Sequence, residues 1–144
     1  MKGLLVMVSL LAIWPWSGSK EYPMKASSSV PAAAGIVKVQ RDKDNGNTKL
    51  DIRVWHLANP SRLTPPANAY IVWVRPRNGA AVRGGAIRVD KDQKGELKLV
   101  TVEKDFEVFI TAEQTTAEQT TAEQSGSADV PSDFQVLRAD VTIN

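Results

Sequence analysis

The chain has 144 residues, with no cysteine and a single histidine. Without cysteine there are no disulfides, no thiolate metal sites, no iron–sulfur clusters and no cysteine nucleophile. With His56 alone, no zinc or copper centre of His and Cys ligands can assemble. Aromatic residues make up only 6% of the chain, and the formal net charge is only +2. A balance that small gives no electrostatic footprint for nucleic acid. The glycines that occur close together, Gly79, Gly84 and Gly85, precede no helix pattern, so no helix N-terminus awaits a phosphate. No Gly-x-Ser-x-Gly elbow occurs, and no serine follows a core strand on a sharp turn, which argues against a Ser-His-Asp triad.

What is present is ordinary globular composition, 42% hydrophobic and 24% charged, enough for one domain with a buried core. The N-terminus reads as an export signal over residues 1–19. Lys2 gives a positive start, Gly3 to Trp16 is an uncharged, mostly apolar run, and Ser17-Gly18-Ser19 offers small residues before Lys20. The run falls short of the ~20 residues of a membrane span, and Pro15 interrupts a helix. An uncleaved anchor is the alternative, and only then would the chain touch a membrane. Either way the remainder is expected outside the cytoplasm, in the periplasm or beyond the cell.

Residues 20–34 read as a flexible linker, because Ala26-Ser27-Ser28-Ser29 and Pro31-Ala32-Ala33-Ala34 have little to bury. From Gly35 to the C-terminus the pattern is that of short strands. Ile36 to Gln40 comes first. Asp44-Asn45-Gly46-Asn47 then turns the chain, since Asn and Gly accept left-handed backbone. Thr48 to Leu57 alternates, with Leu50, Ile52 and Val54 on one face. Ala69 to Arg75 is apolar without alternation, so it is placed centrally with both faces covered. Ala86 to Asp90, Glu96 to Val102, Phe106 to Thr111 and Phe134 to Ile143 complete seven strands. The expected fold over 35–144 is all-β, a seven-stranded immunoglobulin-like β-sandwich. An open barrel is the alternative.

One segment breaks the strand pattern. Residues 111–124 hold three copies of Thr-Ala-Glu-Gln at a period of five, too short for a solenoid unit. The first copy completes a strand, and the next two read as an insertion before the last strand. The insertion is read as a neutral expansion, with a sticky or spacer loop as the functional alternative. A short helix is open to it, because Ala, Glu and Gln favour one.

Charge also divides along the chain. Gly35 to Ile110 carries 14 Lys and Arg against 9 Asp and Glu, whereas Thr111 to Asp133 carries five acids and no base. A solvated acidic loop is the plain account. A loop folded over Arg75, Arg77, Arg83 and Arg88 is the sharper one.

Candidate chemistry is thin. His56, between Trp55 and Leu57 at a strand end, reads as a structural edge residue. Asp42-Lys43-Asp44-Asn45-Gly46 brings its glycine one place early for an EF-hand. Asp90-Lys91-Asp92-Gln93-Lys94-Gly95 fails at Lys94 and at Thr101, where oxygen ligands belong. Both read as hairpin turns. Trp73 reads as a core residue, which leaves the nearby arginines without aromatics for stacking on single strands. Asn59-Pro60-Ser61 is no glycosylation site, because proline holds the middle position. No candidate carboxylate pair of the glycosidase kind stands out.

Tyr70-Ile71-Val72-Trp73-Val74 resembles the Tyr-x-x-Trp strand in the extracytoplasmic C-terminal domain of anti-sigma-K-type regulators. The resemblance continues through Gly85-Ala86-Ile87, Gly95-Glu96-Leu97, Phe109-Ile110-Thr111-Ala112-Glu113 and Val130-Pro131, and covers about residues 35–143. It implies an immunoglobulin-like sandwich outside the membrane of a bacterium. Those regulators carry a sigma-binding domain with a His and Cys motif and then a membrane helix. This sequence shows neither, so anti-sigma activity is not carried over. The expectation is an exported, non-catalytic module that binds a protein or polymer of the cell envelope, with no catalytic, metal or cofactor residues assigned. An enzyme with an unrecognised carboxylate site and a passive structural protein are the alternatives.

Overall fold

A computed structural model describes residues 19–115 and 130–143. The described chain is all-β. Its strands are β1 (Ser19–Ala26), β2 (Ala34–Arg41), β3 (Thr48–Trp55), β4 (Ala69–Pro76), β5 (Val82–Ile87), β6 (Gly95–Thr101), β7 (Asp105–Glu113) and β8 (Gln135–Thr142). The only helical element among the described residues is a single 3-10 turn at Pro60–Arg62. All pairings are antiparallel, in one continuous order β5-β4-β7-β8-β1-β2-β3-β6.

Two corrections to the sequence expectation follow. The first concerns residues 20–34, read as a flexible linker. Their first part is β1, which lies in the middle of the sheet between β8 and β2. Its side chains gave no warning, because only Met24 of its eight residues is buried. The strand is held by backbone pairing, six residues against β2 and two, Lys25 and Ala26, against β8. Pro23 is tolerated because the β8 side of β1 is unpaired there. The Tyr22 hydroxyl closes that side by donating to the Thr142 carbonyl at 2.8 Å.

The second correction concerns the seven-stranded sandwich. Eight strands form one sheet, and the sheet curls until its two ends meet, close to a barrel. The ends β5 and β6 pack without joining the ladder. A Cβ built on Gly84 would lie 2.9 Å from Leu99 Cδ2, and one on Gly95 would lie 2.6 Å from the Arg88 carbonyl oxygen. At Gly95 the approach is to backbone and only glycine fits, whereas at Gly84 the tip of the Leu99 side chain would have to move aside.

Inward-facing residues alternate as the sequence suggests. Val37, Leu50, Ile52, Val72, Val108, Ile110, Val136 and Val141 are buried in the central core, and apolar burial of this kind is the main favourable term in folding. β4 is buried on both faces as expected, but it lies second from the end of the strand order. Its outer face forms a second apolar cluster of Ala69, Ile71 and Trp73 with Phe109 of β7. Thr111 to Glu113 end β7, so the first repeat copy completes a strand. The other two copies, and the proposed cover over the arginines, lie outside the described residues.

The antiparallel register sorts the connections to two ends. One end holds Ser19, the β2–β3 turn, the β6–β7 connection and the end of β8. The opposite end holds His56, the β5–β6 turn, the β4 entry and the β7–β8 connection.

Candidate functional site

The site lies at the second of these ends, where β3 leaves the sheet beside the β5–β6 turn. The last β3–β6 pair is Val54 with Gly95. Beyond it, His56 adopts a left-handed backbone, φ 55. For a non-glycine residue this costs on the order of 1 kcal/mol. The turn returns Leu57 to the core, fully buried, and its N–H donates to the Gln93 carbonyl at 3.1 Å. Gln93 is also left-handed, φ 63. These are the two non-glycine residues with positive φ among the described residues, and the hydrogen bond runs from the residue that follows His56 to Gln93 itself. Backbone strain of this kind collects where surrounding structure fixes a binding or catalytic geometry.

The β5–β6 turn is fixed from within. The Asp90 carboxylate accepts from the backbone N–H of Asp92 at 2.8 Å and of Lys94 at 3.0 Å, and the Asp90 N–H donates to the Lys94 carbonyl at 2.8 Å. This is the work of a turn-forming Asp. Asp42 does the same in the β2–β3 turn, accepting from the Asp44 N–H at 3.0 Å, with Gly46 left-handed at φ 73. The two turns that were tested as calcium loops thus engage an Asp side chain with their own amides.

Between the β3 end and this turn runs an open groove of about 920 Å³, lined among others by Ile36, Trp55, His56, Arg88 and Lys94. Trp55 falls on the outer face of the sheet by strict alternation with buried Val54 and is half-buried. Arg53, on the same face, is tied to Asp51 at 3.2 Å and reaches Glu96 at 4.0 Å. The Asp51 hydrogen bond and charge raise its pKa above the ordinary arginine value. Arg88, Lys94 and His56 are exposed, and among the described residues their side chains have no hydrogen-bond or ion-pair partner. The Asp92 carboxylate is likewise without a partner among the described residues. No group of three or more His, Cys, Asp or Glu among the described residues is placed to hold a metal.

The arginines grouped in the sequence are dispersed. Arg75 pairs with Glu107 at 3.0 Å and lies over the Phe109 ring at 4.5 Å. Arg77 pairs with Asp105 at 2.8 Å at the opposite end. Arg83 is engaged on β5. Of the four, only Arg88 lines the groove. His56, read as an edge residue, stands at the groove rim. Trp55 carries no sequence signal, and Arg88 and Lys94 stand out only within the arginine group and the Asp90 turn, because the three come together only through the β3–β6 pairing and the β5–β6 turn.

No family model matches the chain. No curated protein matches it either. The functional reading therefore rests on the groove itself.

Proposed function

We propose that this chain is an exported, non-catalytic binding module of the bacterial cell envelope, and that it holds a protein or polymer in the groove beside Trp55. The observation that carries the reading is the set of unpartnered side chains, Trp55, His56, Arg88 and Lys94, on a frame whose own polar groups are internally bonded. Trp and Arg in a partly desolvated depression are the residues that dominate binding energy at interfaces. The turn that carries Arg88 and Lys94 is bonded within itself, which lowers the ordering that would accompany association. No Asp or Glu among the described residues is buried as a whole, although one Asp51 carboxylate oxygen is buried without a hydrogen-bond partner. The export signal, and the likeness to the outer domain of anti-sigma-K-type regulators, support the compartment.

The test uses the chain from Lys20 onward as bait against an envelope extract, beside a Trp55→Ala, Arg88→Gln double variant. The intact chain is expected to retain a component that the variant releases. Equal retention by both would move the binding surface elsewhere, and no retention by either would favour a passive structural role.

A further inference from the structure

We propose that the groove takes an acidic glycan, a polysaccharide whose sugars carry carboxylates. This rests on the groove being the binding site and names the chemistry of its ligand. Three cations line the groove, Arg53, Arg88 and Lys94, and three acids, Asp90, Asp92 and Glu96. Internal bonding removes several of them. Arg53 is held by Asp51 and Glu96, Glu96 also by Lys98 at 3.7 Å, and Asp90 by the turn amides. What remains for a ligand is two cations, one carboxylate, the His56 imidazole and the Trp55 ring.

This remainder discriminates between ligand classes. Two free cations against one free acid select a ligand with negative charge, and the planar Arg88 guanidinium suits a carboxylate. An acidic peptide would meet that pairing but would also face the free Asp92 carboxylate, with only backbone N–H groups to offer it. Each sugar hydroxyl is both donor and acceptor. A hydroxylated ligand therefore satisfies a carboxylate and cations set side by side with the same groups, whereas the side chains of an acidic peptide only accept. The half-buried Trp55, flanked by Ile36, gives an apolar face with a polar edge, suited to the C–H face of a sugar ring. At about 920 Å³, the groove is at the upper end of ligand sites, roughly 300–1,000 Å³, and its open walls admit a chain.

The test is calorimetric titration of the full chain with an oligomer of galacturonic acid, its methyl ester and poly-glutamate, at constant salt. Binding of the acid oligomer is expected, weakened roughly tenfold or more by esterification, because a charged hydrogen bond is lost. Poly-glutamate is expected to bind weakly. Arg88→Gln, at an exposed turn, should fold normally and reproduce the effect of the ester. Trp55→Ala should abolish binding of both glycans. Equal affinity for acid and ester, equal affinity for poly-glutamate, or no binding of the acid oligomer would each overturn the assignment. If the acid oligomer fails while envelope capture still depends on Trp55, the groove stands and only its ligand class falls. If neither assay responds to Trp55 and Arg88, both fall.

Discussion

The Trp73 indole N–H donates to the Thr111 hydroxyl at 2.8 Å across the β4–β7 pair. Both residues are buried on the outer face of the sheet, Trp73 at 2% exposure and Thr111 at 0%. Thr111 passes the interaction on, donating to the Glu113 carboxylate, which also accepts the Ser132 N–H at 2.8 Å. Trp73 stacks on Phe109, with ring centroids 6.5 Å apart and planes inclined by 16°. The second apolar cluster is thereby linked, through one hydroxyl, to both ends of the β7–β8 connection.

Thr111→Val keeps the shape and removes the acceptor. A buried indole N–H without a partner costs about 1–3 kcal/mol. Urea unfolding followed by tryptophan fluorescence should show that loss, with an unchanged dependence on denaturant. A midpoint identical to that of the parent would mean that the hydroxyl contributes nothing net.

Tyr70 gives a pH signature. It is 1% exposed, its hydroxyl donates to the Ala58 carbonyl, and burial pushes its pKa up to about 12. The unfolded chain ionises near pH 10. The raised value favours the neutral form in the folded state, so the contribution is complete below about pH 10. It is lost as the pH rises towards about 12, on the order of 2–3 kcal/mol in all. Tyr70→Phe should lack this alkaline loss. Unfolding free energies of both chains between pH 9 and pH 12 test it, and a gap that stays constant over that range would contradict the account.

Deleting residues 116–125 should leave the fold intact. The flanks are fixed independently. The Asn68 amide donates to the Thr115 carbonyl at 2.8 Å and its oxygen accepts the Thr115 N–H at 2.8 Å, while the Ser132 hydroxyl donates to the Ala112 carbonyl at 2.9 Å. Loop-closure entropy varies by only about 0.6 kcal/mol per doubling of length. Thermal unfolding within a few degrees of the parent is expected, and a large drop would show that the extra copies carry structure.

A chain that begins at Ser27 should fail to fold, whereas one that begins at Lys20 should unfold cooperatively. The shorter chain loses β1, its six pairs with β2, its link to β8 and buried Met24. Far-ultraviolet circular dichroism on heating separates the two. A cooperative transition in the shorter chain would return this segment to the status of a linker.

The legible part of the fold was the part written in side-chain alternation. Leu50, Ile52 and Val54 on β3, and Phe106, Val108 and Ile110 on β7, announce their strands because they line the inner face at alternate positions. Asp44 to Asn47 announces its turn through residues that accept left-handed backbone. β1 was silent because its place depends on backbone pairing, and Pro23 and its exposed side chains argue against a strand. β5 was displaced, expected at Ala86 to Asp90 and found at Val82–Ile87, because Gly84 and Gly85 look like a break. Gly84 packs against the Leu99 side chain, and Gly85 adopts φ 142, a backbone conformation that side chains rarely allow.

The sequence by itself determined the compositional exclusions and the all-β class, because these follow from residue counts and from a periodicity of two, while the stretch expected to be an export signal lies, up to residue 18, outside the described residues. Only the tertiary structure decided that β1 joins the sheet, that the sheet curls on itself, and that Trp55, His56, Arg88 and Lys94 share one groove. Those facts depend on which strands pair. Pairing is set by backbone hydrogen bonds between segments far apart in the chain, and these leave no local mark in the sequence.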